Sequence, residues 1–162
     1  MFTETMTAEQ VLELYKDDVY KLSEYIPWLV DKSGKSVSSI YNQDGLGANS
    51  VAFPVYDSTL MSFIKAAENT HLMDRNYKYV YSRNRIGDYN DELRVIRSCN
   101  ILQMDIIGGI LSKYVLGGRT KAAYWREGMD YGIFCEAILK AKELVDFWVN
   151  ATTVISDEEA RA

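Results

Sequence analysis

The residues with the clearest chemical potential lie between Arg75 and Arg85, where four cations are interleaved with three tyrosines and no acidic residue occurs. The candidate interaction surface consists of Arg75, Lys78, Tyr79, Tyr81, Arg83 and Arg85. Basic side chains can bind phosphates while rings stack on bases, and the same composition is typical of hot spots in protein interfaces. The segment carries +4, so the rest of the chain carries −9 of the net charge of −5. Because an acidic protein with a pI near 4.9 repels nucleic acid over most of its surface, a protein partner is favoured.

The same segment also has a purely structural interpretation. Tyr77, Tyr79 and Tyr81 recur at period two, which is typical of an extended strand, and residues 51–56 could pair with it in a small ribbon. The tyrosines would then cover the core, and the cations would pair with nearby acids: Asp74, Asp88, Asp91 and Glu92. The acidic remainder of the chain favours this ribbon over nucleic-acid binding. The charge asymmetry also suits a protein partner, and we expect the segment to be functional surface.

A second candidate site combines Asp105 with Arg119 and Arg126. Asp105 stands among apolar residues of a predicted helix, so it either faces solvent or pairs inside the protein with one of the two arginines. If the three side chains converge, they would form a helix-lined pocket for an enzyme or a small-ligand-binding protein.

The sequence gives little support for a metal site, a catalytic triad or a phosphate-binding loop. His71 is the single histidine, so a metal site would lack a second imidazole. Gly117-Gly118-Arg119-Thr120 has the composition of an anion-binding turn, but a helix stop followed by a new helix cap explains it better. The sequence predicts no catalytic residue, no metal site and no cofactor, which favours a binding protein over an enzyme.

Composition is that of one ordinary globular domain, with 162 residues of which 48% are hydrophobic and 25% charged. We expect a single helical domain over residues 1–150 and a frayed polar tail over 151–162.

Cys99 and Cys135 lie in apolar helical patterns without metal or redox spacing, which favours buried thiols in a reducing compartment. No secretory signal pattern is present, and no apolar run approaches the ~18 residues that span a bilayer. We therefore expect a cytoplasmic protein with no membrane partner.

Hydrophobic periodicity predicts helices along most of the chain. Thr7 and Gln10 form a capping-box pattern that starts a first helix, and Pro27 breaks or kinks its last part. Residues 31–50 are rich in Ser, Gly, Asn and Asp, which predicts a long loop. A further helix is expected over 59–69.

The second half of the chain predicts the most buried helices. Residues 88–116 form a central helix or two in line, in which Gly108-Gly109 either permits another element to approach closely or breaks the helix. A short helix over 120–127 and an amphipathic helix over 129–149 follow. We predict an all-α or mainly α domain of five or six helices in which the helices near 88–116 and 129–149 pack together. Residues 51–56 and 75–83 form at most a small two-stranded ribbon.

Three short motifs carry a family resemblance. They are Tyr25-Ile26-Pro27, Phe53-Pro54-Val55-Tyr56-Asp57 and Tyr124-Trp125-Arg126-Glu127-Gly128. Over roughly residues 20–147 the chain resembles a group of small bacterial helical domains of unknown function. The resemblance implies a compact helical fold and a bacterial or mobile-element origin, and it transfers no active site.

These observations lead to a function hypothesis. We expect a non-catalytic protein-binding protein, carried by a phage or mobile element, that inhibits a host enzyme of nucleic-acid-handling defence. One alternative is an enzyme or ligand-binding protein that uses the pocket of Asp105, Arg119 and Arg126. The other is a nucleic-acid binder that uses the segment Arg75–Arg85.

Overall fold

Eight α-helices make up most of the part of the chain described by this computed structural model, which covers residues 6–34, 38–41, 53–121 and 123–161. For residues 38–41, 53–56 and 152–161 only the backbone is described. The mainly helical class is confirmed, whereas the expected number of five or six helices is too low. The number is too low for two reasons. The first predicted helix is divided at Pro27, and residues 77–84 are helical where the sequence predicts an extended segment.

The first two helices are separated by the turn that Pro27 predicts. Helix α1 spans Ala8–Ser23, and both hydrogen bonds of the Thr7–Gln10 capping box are present. Helix α2 spans Ile26–Lys32 and has Pro27 in its first turn, where a missing N–H costs no intrahelical hydrogen bond. The predicted break is therefore confirmed.

A two-stranded antiparallel ribbon joins β1, Ser38–Tyr41, to β2, Phe53–Tyr56. The sequence correctly predicts that β2 belongs to a ribbon, but the prediction that residues 75–83 form the partner strand is wrong. The partner strand lies in the stretch 31–50, which was predicted to be loop throughout. The residues between the two strands lie outside the described part of the chain.

Residues 75–83 are not extended because most of them belong to a helix. Helix α3 spans Ser58–Glu68, and helix α4 spans Tyr77–Asn84. In α4 the buried residue is Val80, and its side chain packs directly on Gly109, where an added Cβ would lie 2.8 Å from both Val80 methyl groups. The helix buries Val80 against this glycine and turns Tyr79 to solvent, so tertiary packing overrides the period-two pattern of the tyrosines.

The predicted long helix over 88–116 is two helices, and the alternative of two helices in line is wrong. The second helix folds back along the first, so that Glu92 near the start of one accepts a hydrogen bond from Tyr114 near the end of the other. Helix α5 spans Tyr89–Ser98, helix α6 spans Met104–Val115, and a 3₁₀ turn over Ile101–Gln103 separates them. Helix α6 is the central one, because it packs against α3, α4 and α5, and most of its residues are buried. At Gly108 an added Cβ would lie 2.5 Å from the Leu72 carbonyl oxygen, which confirms close approach as the role of the glycine pair.

The last two helices complete the core. Helix α7 spans Ala123–Asp130, three residues later than expected, and helix α8 spans Ile133–Arg161. The α8 helix packs against α1, α5 and α6, which confirms the predicted contact between residues 88–116 and 129–149. It also includes residues 151–161, for which the sequence predicts a frayed tail.

Neither cysteine forms a disulfide: Cys99 is buried and Cys135 partly buried. Burial raises the pKa of the Cys99 thiol to about 11, assisted by the charge of Asp105, and burial also raises the pKa of Cys135. Within the described residues, no helix has the length and apolarity that crossing a bilayer requires.

Candidate functional site

Helix α4 and the residues that flank it present basic side chains to solvent. We call this region the α4 surface and define it by Arg75, Lys78, Tyr79, Arg83 and Arg85. All five are exposed, and the Tyr79 side chain is 64% exposed. The Arg83 guanidinium lies 5.5 Å from the centre of the Tyr79 ring. Arg85 ends the helix in a left-handed conformation with φ of 54°. A ring stacked with a guanidinium and flanked by further cations is a surface suited to an acidic partner.

Within the described part of the chain, most cations of the α4 surface have no acidic partner. Arg83 approaches Asp105 at 3.5 Å between Nη2 and Oδ2, with both side chains about half exposed. For Arg75, Lys78 and Arg85 no carboxylate lies within 4 Å among the described residues.

The four acids that the ribbon interpretation paired with these cations form other interactions. Asp74 accepts a hydrogen bond from the Asn76 amide, and Asp88 caps α5 by accepting from the Asp91 amide. Asp91 pairs with Arg94, and Glu92 points into the core. The predicted neutralisation of the segment by these acids is therefore wrong.

Tyr81 does not share the α4 surface, because its hydroxyl points inward and donates a hydrogen bond to Glu92. Glu92 is fully buried, and its other carboxylate oxygen accepts a hydrogen bond from the Tyr114 hydroxyl at 2.5 Å. The Lys113 ammonium lies 3.6 Å from the same carboxylate. Burial and then interaction with Glu92 raise the pKa of Tyr81 and of Tyr114 far above the usual value of 10, so both hydroxyls remain donors.

Lys113 is held among aromatic rings as well as by the carboxylate. Its ammonium lies 5.1 Å, 5.0 Å and 5.5 Å from the ring centres of Tyr81, Tyr114 and Tyr124 respectively. These distances are within the range of cation–π attraction. The charge of Lys113 is thus fixed in place beneath the protein surface, with 23% of its side chain exposed.

A cavity of about 280 Å³ opens over this arrangement, and we call it the tyrosine pocket. It is lined by Tyr77, Lys78, Tyr81, Lys113 and Tyr124. Tyr77 and Tyr81 reach it together because they are four residues apart on α4. The α7 helix supplies Tyr124, which lies against Gly117 so closely that an added Cβ there would be 2.8 Å from the ring.

Asp105, Arg119 and Arg126 are not joined by any hydrogen bond or ion pair among the described residues. Asp105 contacts Arg83, while Arg119 Nε donates to Glu68 at 3.0 Å and Arg126 lies 3.8 Å from Asp130. Asp105 is in the first turn of α6 and Arg119 follows its end, so the axial rise alone separates them by about 15 Å. Asp105 therefore faces solvent, which is one of the two alternatives predicted for it, and does not pair with Arg119 or Arg126 inside the protein.

His71 lies at the surface beyond α3, with Nδ1 2.8 Å from Oδ2 of Asp18. The backbone amide of His71 donates to the same oxygen. No group of three potential metal-ligating side chains occurs among the residues that the structure describes.

Sequence reasoning missed Glu92, Lys113 and Tyr124. A signal for Glu92 is present, since it is followed by Ile96 and Cys99 at spacings of four and three residues, which places it on the buried stripe of α5. Nothing in the local sequence indicates that Lys113 and Tyr124 meet there, because they come from different helices.

Comparison of the chain with protein-family models, with curated proteins and with solved structures finds no match. The resemblance to small bacterial helical domains therefore stays a prediction.

Proposed function

We propose that the protein is a non-catalytic binding protein that attaches to an acidic surface of another protein through the α4 surface. The observation that carries the proposal is the exposure of Arg75, Lys78 and Arg85 next to the exposed Tyr79 ring, with no acidic partner for these cations among the described residues. Isolated surface cations are ordinary, but an arginine-stacked tyrosine among them has the composition of an interface hot spot.

Net charge supports a protein partner rather than nucleic acid. Outside residues 75–85 the chain carries −9, so a polyanion that approached α4 would be repelled by most of the remaining surface. A folded partner can match both signs, with an acidic patch against α4 and a basic region against the acidic remainder.

The biological setting that we propose follows from this charge pattern. Enzymes that handle nucleic acids present basic grooves, and an acidic protein can occupy such a groove while α4 contacts an acidic patch at its edge. We therefore propose a phage or mobile-element protein that inhibits a host defence enzyme of this class in the cytoplasm. The unpaired thiols of Cys99 and Cys135 suit a reducing compartment.

A capture experiment with two matched variants tests the proposal. The test variant replaces the four cations of the α4 surface, Arg75, Lys78, Arg83 and Arg85, with glutamine, which retains helix propensity. The control variant replaces four exposed cations elsewhere with glutamine and so changes the net charge by the same amount. These cations are Lys16, Lys21, Lys65 and Arg94.

We expect the native chain and the control to capture the same host protein from a bacterial lysate and the test variant to lose it. A Tyr79→Ala variant should weaken binding to the isolated partner by about 2 kcal/mol, or roughly 30-fold in Kd. Equal capture by the test variant would contradict the proposal. Loss of the captured material on nuclease treatment would instead favour the nucleic-acid alternative.

A further inference from the structure

The tyrosine pocket has a size and a lining that suit a small ligand. Its volume of about 280 Å³ is near the lower end of the range for small-molecule sites, about 300–1,000 Å³. Three tyrosines and two lysines form its lining. Such a site buries a flat ring through the tyrosines and fixes its orientation through the ammonium groups.

The charge of the pocket selects an anion. Lys78 and Lys113 both line it, and the Lys121 ammonium lies 5.0 Å from the centre of the Tyr124 ring. The buried Glu92 offsets only one of these charges, since among the described residues no carboxylate lies within 4 Å of Lys78 or Lys121. Among the described residues, the lysine ammonium groups at the pocket therefore outnumber the carboxylates that pair with them.

Two other ligand classes fit less well. A cationic ligand would need the aromatic cage that the Lys113 ammonium already occupies. A wholly apolar ligand would remove two lysine ammonium groups from water and offer them no acceptor in return.

The pocket is also held in shape before any ligand arrives. Hydrogen bonds from Tyr81 and Tyr114 fix Glu92, and Glu92 in turn fixes Lys113. A site whose groups are already ordered loses less conformational entropy on binding.

We propose that the tyrosine pocket is a binding site for a small aromatic anion, a molecule that joins one ring system to a phosphate or carboxylate. The ring lies among Tyr77, Tyr81 and Tyr124, and the anionic group contacts Lys78 and Lys113. This inference goes beyond the proposed function, because it assigns a small-molecule ligand to a site beside the α4 surface.

Calorimetry with two probes of this class, adenosine monophosphate and phenyl phosphate, tests the proposal on the purified full chain without any partner. Adenosine and inorganic phosphate serve as the ring and the anion alone. We expect at least one probe to bind with a Kd of about 1 mM or tighter, and each isolated part to bind about tenfold more weakly or not at all. Lys78→Gln should weaken binding of the probe about tenfold, and the backbone amide NMR signal of Gly117 should shift during titration.

The variant Arg83→Gln with Arg85→Gln is the control, since neither residue lines the pocket. It should leave probe binding unchanged while it weakens capture of the protein partner, so the two proposals fail separately. Absence of binding by both probes at about 5 mM would overturn the inference. Binding that is equal in the native chain and in Lys78→Gln would overturn it as well, and so would equal binding of inorganic phosphate alone.

Discussion

Replacement of Tyr114 by phenylalanine measures how strongly the buried cluster around Glu92 contributes to stability. The substitution removes one oxygen atom and keeps the ring that packs against Tyr124 and Phe134. It leaves the fully buried Glu92 carboxylate with one fewer donor, since the 2.5 Å hydrogen bond from Tyr114 is lost. A hydrogen bond to a charged group contributes about 1.5–3 kcal/mol, and a buried acceptor left with fewer donors incurs a desolvation cost of similar size. We expect a loss of about 2 kcal/mol.

Urea denaturation followed by far-ultraviolet circular dichroism is the assay, with thermal unfolding as a second measurement. For a chain of this length, about 2 kcal/mol corresponds to a fall in Tm of roughly 4–8 °C. Tyr79→Phe is the matched control, because its exposed hydroxyl has no hydrogen-bond partner within the described structure and its removal should change stability by less than about 0.5 kcal/mol. If Tyr114→Phe costs no more than Tyr79→Phe, the cluster does not stabilise the fold as argued here.

Two further predictions concern pH and packing. In an alkaline titration of the native protein followed by tyrosinate absorbance, Tyr81 and Tyr114 should not ionise near pH 10, because burial and Glu92 raise their pKa values. Their contribution to stability is therefore fully present below pH 10 and is lost as pH rises above it. Tyr114→Phe should accordingly leave the tyrosinate absorbance of the native protein near pH 10 unchanged. Gly108→Ala should lower the free energy of unfolding by about 2 kcal/mol, because its Cβ would lie 2.5 Å from the Leu72 carbonyl oxygen, although the same change in an open helix gains roughly 1 kcal/mol. Urea denaturation checks this value, and a stabilised Gly108→Ala variant would refute the close approach.

The positions of most helices follow from local chemistry that the sequence displays. The Thr7–Gln10 capping box and Pro27 act within one or two turns of the chain, so their effects on α1 and α2 can be predicted from neighbouring residues alone. The apolar stripe of α6 is equally local, since its residues repeat at helical spacing.

Helix α4 could not be predicted in the same way. Three tyrosines at period two are compatible with a strand, whereas the helix packs Val80 on Gly109, almost thirty residues away along the chain. The lining of the tyrosine pocket depends on this helix. A strand would place Tyr77, Tyr79 and Tyr81 on one face, whereas the helix keeps Tyr77 and Tyr81 together and turns Tyr79 to solvent. The incorrect secondary structure predicted for residues 77–83 therefore does not show which of these tyrosines line the pocket.

The Glu92–Lys113 pair is better explained by the pocket than by stability. A buried ion pair is often no more stabilising than apolar side chains of similar volume, since the cost of desolvating both charges offsets their attraction. Glu92 is fully buried, while Lys113 keeps 23% of its side chain exposed, and that exposed part faces the tyrosine pocket. The arrangement thus holds an ammonium group at the base of an aromatic cavity, an effect that an apolar pair would not reproduce. Under this reasoning Lys113→Met should impair binding of an aromatic anion more than Lys78→Gln does, even where the folded fraction of both variants is the same.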